Sequence, residues 1–437
     1  MTGLLMFPTL FALIFLGFPV AFTLLGVAFA FGYYTFGDVV FFQFVQKIED
    51  VASNFVLAAV PLFVFMGSML ERSGIAEQLF NAIHIWTKRL PGGLAVGTVI
   101  MCILFAASTG VIGATETVVG LLAIPAMMKH RYSHSLISGT ICAGGSLGTI
   151  IPPSVVVVVL GPVADVSIGD LMVGMIFPGL ILSALYVVYI VLLAIFKPSS
   201  APRVLDEQDT MPFLEKVAFT LRALVPPLFM IFAVLGSIML GWAAPTEAAA
   251  LGAAGAFLLT IFYGRFTLKT FFDALVKTLV VTSMIMFILM AGSLFTGVFV
   301  ASGGMGLMRD MIGGLTISPI MLLALFLSLV FLAGFFLEWI SIILIFIPIF
   351  MPFVREAGFD PVWFCMLILI MIQTSYLTPP MAPAIFYLRG VAPDEITLRQ
   401  MYAGVIPFIL IQIVTLLIVI AFPETTTWLP QQLLGFK

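Results

Sequence analysis

The chain has 437 residues, 62% of them hydrophobic and 9% charged, with a mean hydropathy of +1.23. That balance excludes a soluble globular fold and predicts a polytopic α-helical membrane protein. A formal net charge of −3 gives no footprint for nucleic acid, the three cysteines (Cys102, Cys142, Cys365) lie in apolar runs that fit no metal set, and His84, His130 and His134 do not cluster.

The N-terminus lacks the basic start and short cleavage pattern of a signal peptide, so Leu4 to Gly32 reads as a retained first span, kinked at Pro8 and Pro19. An amphipathic stretch covers Asp38 to Asp50, and Ser53 to Leu70 forms a second span. Glu71 to Arg89 carries scattered charge, as an interfacial helix does, and Gly92–Gly93 ends it. Leu94 to Met128 is too long for one span and has a weak centre of small and polar residues, Ala107 to Glu116. Lys88 and Arg89 precede it and Lys129 and Arg131 follow it, so positive charge places both ends in the cytoplasm. This predicts a re-entrant hairpin with its tip at Ser108–Gly113.

Ser135 to Ala164 holds Pro152–Pro153 in mid-span, where two rings remove donors and break the helix. Leu171 to Phe196 returns to the inside, and Lys197 to Glu215 is a polar linker with three prolines. Lys216 to Leu240, Thr246 to Tyr263 and Thr278 to Ala301 cross in turn. Ile317 to Phe353 repeats the long interrupted pattern around Ala333 to Ser341, without a positive flank, so a second hairpin opens outward. Pro361 to Tyr387 is a second broken span, with Pro379–Pro380 at its centre, and Met401 to Phe422 is the last.

Matching pairs recur in fixed order: Ser73–Gly74 with Ser302–Gly303, Ile124–Pro125 with Ile347–Pro348, Pro152–Pro153 with Pro379–Pro380, and Phe177–Pro178 with Ile406–Pro407. Such fixed-order similarity is a fold-level repeat. Counting span, span, hairpin, broken span and span in each half, Lys216 to Leu240 acts as an extra span that inverts the second half. The predicted fold class is therefore an all-α inverted-repeat transporter with two re-entrant hairpins and two broken helices.

Broken backbone at membrane depth survives where protein buries it or where it lines a polar cavity. Unwound carbonyls suit a hard cation such as Na⁺, and short-helix N-termini suit a carboxylate. Hydroxyls of Ser108, Thr109, Thr115, Ser341, Thr374, Ser375 and Thr378 are candidates to complete an oxygen shell, or to bond neighbouring helices. Glu116 and Glu338, one in each hairpin, have two readings: ion or proton handling, and capping of the following helix. Glu247 in Thr246–Glu247–Ala248 reads as N-terminal helix stabilisation, and Gln373 either bonds substrate or satisfies freed backbone. No nucleophile–base pair supports an enzyme, and no cofactor is expected beyond Na⁺ as coupling ion.

The stretches Ala107–Ser108–Thr109–Gly110, Gly113–Ala114–Thr115, Ile151–Pro152–Pro153–Ser154, Thr246–Glu247–Ala248 and Gln373 to Pro380 together resemble the large membrane subunit, DctM type, of tripartite ATP-independent periplasmic (TRAP) transporters. Relatives of that type often have Asn near Thr374–Ser375 and Val-Gly where this chain has Met381–Ala382. The Gln-Thr-Ser version resembles a subgroup associated with keto acids and other small carboxylates. The resemblance implies a sodium-driven elevator in the bacterial inner membrane. It also implies a small four-span membrane subunit and a periplasmic substrate-binding protein as partners, and a small organic acid as substrate. By the same resemblance, residues 91–165 and 315–390 form the moving part, and residues 1–90, 166–314 and 391–437 form the scaffold. A first sodium site would use Ser108, Thr109, Gly110, Gly113, Thr115, Gly148 and Ile151, and a second Gly334, Glu338, Ser341, Ser375, Thr378 and Pro379. Substrate would meet Ser154, Gln373, Thr374 and Glu116.

Overall fold

The computed structural model describes residues 2–110, 113–203, 211–313 and 318–435, and every regular element among them is helical. Among the described residues seven helices, taken with the short helical segments continuous with them, are long and apolar enough to cross a membrane. The shorter apolar helices are the half-spans from which hairpins and broken helices are built.

The chain opens with α1 (Thr2–Phe15) and α2 (Val20–Phe36), and here the sequence expectation needs correction. Leu4 to Gly32 is not one crossing. Gly17 adopts φ 93° and Pro19 follows it, so the chain reverses between the two helices. The long helix α14 (Leu268–Ala301) acts as a ruler: Gly3 abuts Ser302 and Phe299, Phe7 meets Phe295, Phe22 meets Phe287, and Gly32 abuts Val298. α1 therefore descends beside α14 and α2 climbs back to the level where α1 began. α3 (Val39–Ala52) lies at that same level, and α4 (Ala59–Arg72) then crosses to the opposite side. α5 (Ile75–Thr87) is the expected interfacial helix.

The first hairpin is α6 (Gly93–Thr109) and α7 (Ala114–Lys129). Its two ends lie side by side, with the Leu94 amide 3.3 Å from the Tyr132 hydroxyl. The expected tip includes Val111 and Ile112, which lie outside the described residues. α8 (His134–Ser146) begins on the Ser133 hydroxyl cap, gives way to a 3₁₀ turn over Leu147–Thr149, and resumes past the prolines as α9 (Val155–Ala164). A short α10 (Ile168–Gly174), not foreseen from the sequence, precedes α11 (Ile176–Phe196).

α12 (Phe213–Met239) and α13 (Pro245–Phe262) go out and back, with Glu247 accepting the Ala244 amide at 2.8 Å as a helix cap. α14 follows, continuous over 34 residues, so the expected start at Thr278 falls inside it. α15 (Gly304–Gly313) corresponds to α5. The second hairpin is α16 (Pro319–Ala333) and α17 (Trp339–Glu356). The second broken span is α18 (Pro361–Leu377), capped by Asp360, and α19 (Pro383–Arg389). α20 (Leu398–Ala421) crosses last, and α21 (Glu424–Leu434) folds back onto α10.

The repeat holds at backbone detail. Gly74 and Gly303 are both left-handed, at φ 79° and 80°. The serine before each donates to a carbonyl three residues back, Leu70 at 2.7 Å and Phe299 at 3.0 Å. Both proline pairs contain a cis peptide bond. The repeat unit is α4–α11 and α14–α20, with three crossings each. An odd count inverts the second copy by itself, because α12 and α13 return to the side they left. The expected role of Lys216 to Leu240 as the inverting span is therefore corrected: the hairpin nature of α1–α2 removes one crossing from the first half.

Two sets of contacts mark the two faces. On the positively charged face the Ser133 amide bonds the Ser200 carbonyl at 2.9 Å, and Arg389 reaches the Ile396 carbonyl at 3.1 Å. On the other face Arg355 binds the carbonyls of Ala164 and Asp165 and the Asp165 carboxylate, and Arg309 pairs with Glu356.

Candidate functional site

Each hairpin tip meets the break of its own half. Gly110 ends α6 at φ 60°, where its carbonyl lies 3.5 Å from the Val155 amide and a Cβ would stand 2.9 Å from the Pro153 oxygen. Gly148 faces Ala106 across the same contact. In the second half a Cβ on Gly334 would fall 1.8 Å from the Ser375 hydroxyl, so that tip sits directly on the end of α18. At Gly110 and Gly334 the helix ends approach too closely for any side chain, whereas Gly148 makes an ordinary contact with Ala106.

The breaks are closed from within. Thr149 donates to Ser146 O at 2.9 Å, Ser154 to Thr149 O at 3.1 Å, Thr378 to Thr374 O at 2.5 Å, and Thr374 to Met371 O at 2.7 Å. Gln373 joins the two breaks, donating from Nε2 to Ser146 O at 3.0 Å and to Thr149 Oγ1 at 2.8 Å. Ser146 and Gln373 are 227 positions apart, the same offset as Pro152 and Pro379, so this contact lies where the two halves are related to each other.

Several buried oxygens around the tips have no hydrogen-bond partner: Thr109 Oγ1, Thr115 Oγ1, Ser341 Oγ, Ser375 Oγ and the Tyr376 hydroxyl. A buried polar group left unpaired costs roughly 1–3 kcal/mol, so such a set is the expected mark of a site that a ligand completes. Glu116 is fully buried: Oε2 accepts the Gly113 amide at 2.8 Å, Oε1 is unpaired, and the carboxyl rests against Gly145. Glu338 precedes α17 without capping it and faces a cavity instead.

That cavity, of about 170 Å³, lies where tips and breaks converge on helices α4 and α14. The first half supplies Gly110, Val155 and Val156, and the second supplies Gly334, Glu338, Trp339, Ser375, Tyr376 and Tyr387. Val64 of α4 and Met284 of α14 close it. Glu338 is its one charged residue among the described residues. Of the residues expected around ions, Gly110, Gly334, Glu338 and Ser375 line the cavity. Ser108, whose hydroxyl bonds Leu104 O at 2.7 Å, and Thr109, Gly113, Thr115, Ile151, Ser341, Thr378 and Pro379 surround the tips and breaks without lining it. Ser154, Gln373, Thr374 and Glu116 are held in internal hydrogen bonds and do not line it either. Trp339, Tyr376 and Tyr387 were not singled out from the sequence. The usable signal was an aromatic residue within a few positions of a break or tip.

Residues 7–425 match the family described as "Tripartite ATP-independent periplasmic transporter, DctM component". The chain belongs to this family. It is thus a large permease subunit of a TRAP transporter and a multi-pass protein of the inner membrane. It is 32% identical over 391 residues to the C4-dicarboxylate TRAP transporter large permease protein DctM of Pseudomonas aeruginosa, covering 89% of each chain. To the sialic acid TRAP transporter large permease protein SiaM of Vibrio cholerae it is 28% identical, over 97% of both. To the isethionate TRAP transporter permease protein DctMQ of Oleidesulfovibrio alaskensis it is 29% identical, over 86% of this chain and 57% of that one. The crystal structure of the Alcanivorax borkumensis YdaH transporter, described as having an unusual topology, superposes with a TM-score of 0.62 at 15% identity, over 89% of this chain and 90% of that one. That likeness concerns the fold alone. The relatives are permeases, which agrees with a role other than enzyme.

Proposed function

We propose that the chain is the translocating subunit for Na⁺-coupled uptake of a small organic acid by an elevator movement. Residues 91–165 and 315–390, the hairpins and broken spans, form the moving part against a scaffold of the remaining helices. The observation that carries the reading is the set of unpaired, buried oxygens at both tips, on Thr109, Thr115, Ser341 and Ser375, each beside a broken helix. Two small hard cations would satisfy them with carbonyls of the breaks.

The charge balance favours coupling. The cavity already holds Glu338, and no Lys or Arg lines it among the described residues. A carboxylate entering alone would place two like charges together in a low-dielectric site. Two sodium ions offset both, so substrate and ions bind well together and poorly apart. The substrates named for the relatives range from C4-dicarboxylate to sialic acid and isethionate, so a small acid is the class and its identity is set elsewhere. The partners are a small membrane subunit and a periplasmic binding protein. The DctMQ relative, of which this chain spans little over half, supports a membrane partner.

The test is uptake of small carboxylates into proteoliposomes holding this chain and its small subunit, with an inward Na⁺ gradient, with and without the binding protein. Uptake requiring both supports the proposal. Uptake without the binding protein, or driven by a pH gradient alone, overturns it. Thr109→Ala and Ser375→Ala should each raise the Na⁺ concentration for half-maximal uptake by roughly tenfold, for about 1.4 kcal/mol of lost coordination.

A further inference from the structure

A second cavity, of about 600 Å³, opens between α1, α15 and the second hairpin, and among the described residues every side chain lining it is apolar. On α1 its wall is Leu4, Phe7, Phe11 and Phe15, a single stripe at helical spacing. On the hairpin side it is Leu325, Leu329 and Leu332 of α16 followed by Phe336 beyond its end. Phe15 meets Phe336 edge to face at 4.7 Å and closes the deep end. Met308, Met311 and Ile312 of α15 form the mouth.

Length and polarity decide what fills it. From Leu4 to Phe15 a helix rises roughly 16 Å. Half of a bilayer's hydrocarbon core is about 15 Å. The crevice therefore runs from the outer surface, where α1 starts beside Ser302, to mid-membrane, the depth of one leaflet. An apolar cavity of about 150 Å³ already takes up benzene, and this one is four times larger and borders the membrane. At its mouth, between Met308 and Met311, stand Arg309 and Asp310, and Arg309 pairs with Glu356 at the end of α17. A cation and carboxylates at the headgroup level suit a phosphate and an ammonium.

We propose that this crevice is a phospholipid site: one acyl chain of an outer-leaflet lipid occupies it, with the headgroup phosphate at Arg309. The site joins a scaffold wall (α1, α15) to a wall of the hairpin. The bound chain thus fills space that would otherwise change volume when the hairpin shifts. The inference stands apart from the ion sites and does not depend on which substrate is carried.

The test uses the full chain with its small subunit in vesicles containing phosphatidylethanolamine with a photoreactive diazirine on one acyl chain. Labelled positions should concentrate on α1 and α16. Leu329→Trp, which fills the crevice, should reduce that labelling at least fivefold while labelling near Phe232 on lipid-facing α12 stays unchanged, and Arg309→Gln should lower the phospholipid retained in native mass spectrometry. The α12 signal also reports that the variants remain folded. Even labelling of all lipid-facing helices overturns the proposal. So does crevice labelling that appears only when the small subunit is left out, since a protein would then be the occupant.

Discussion

Gly67 of α4 offers a direct test of the proposed movement of the first hairpin along that helix. A Cβ there would lie 2.5 Å from the Thr109 carbonyl oxygen and 3.3 Å from two further backbone atoms of the same residue. These are main-chain atoms at the end of α6, so no side-chain rotation relieves the clash. Overpacking of this kind costs roughly 1–3 kcal/mol. Against it, Ala in place of Gly inside a helix gains roughly 0.5–1 kcal/mol through backbone entropy. The gain applies in every arrangement, whereas the clash exists only where the first tip faces Gly67. Gly67→Ala should thus depopulate this arrangement by roughly 5- to 150-fold relative to any in which the hairpin has moved along α4, at 1.4 kcal/mol per factor of ten. The assay pairs initial uptake rate in proteoliposomes with thermal unfolding in detergent. The expected outcome is uptake reduced fivefold or more with an unchanged or raised melting temperature. Unchanged uptake would refute the reasoning. A parallel fall in melting temperature would reduce Gly67 to a packing residue of a static interface.

Gln373→Leu removes the amide that bonds the Ser146 carbonyl and the Thr149 hydroxyl, leaving the carbonyl only its bond from Thr149; denaturation should show a loss of about 1–3 kcal/mol, and a loss below about 0.5 kcal/mol would mean that the two breaks are joined by packing alone. Gly145→Ala forces a Cβ to within 2.5 Å of the Glu116 side chain, so expression and uptake should fall, and Glu116→Ala in the same chain should recover both; failure of rescue would place the damage in the α8 backbone. Asp165→Asn should lower stability by no more than about 1 kcal/mol, because the pair is exposed, whereas Arg355→Ala should cost more, since Arg355 also binds the carbonyls of Ala164 and Asp165. Equal effects in thermal melts would assign the whole contribution to the ion pair.

The features legible in the sequence were those with a strong local cause. The pairs Pro152–Pro153 and Pro379–Pro380 do break their helices, whereas α12 runs unbroken through Pro226–Pro227; what marks the two breaks is the proline pair together with a matching run of small and polar residues in each half, such as Ala107–Gly110 and Ala333–Gly334. The lysines and arginines around both ends of the first hairpin fixed its side. The α1–α2 reversal was illegible for the complementary reason: Gly17–Phe18–Pro19 sits in an uncharged apolar run, so the positive-charge rule had nothing to count. α10 and α21 are too short or too polar to register as spans. At the site, tips and breaks could be paired from the repeat. Val64 and Met284 could not, because a cavity wall supplied by ordinary apolar helices leaves no local pattern. Side chains that close the breaks internally, such as Ser154 and Thr374, look in sequence like those that stay free, such as Ser341 and Ser375.

The joint between Ser146 and Gln373 has a consequence for the cycle as a whole. A contact at the point where two inverted halves meet joins a position to its own copy. Here one side gives an amide donor, and the other accepts it at the Ser146 carbonyl and the Thr149 hydroxyl. The halves are interchangeable in path but not in hydrogen-bond direction. Inward-facing and outward-facing forms, if reached by exchanging the roles of the halves, are then unequal in energy from the outset. That asymmetry is written into the chain at this one joint.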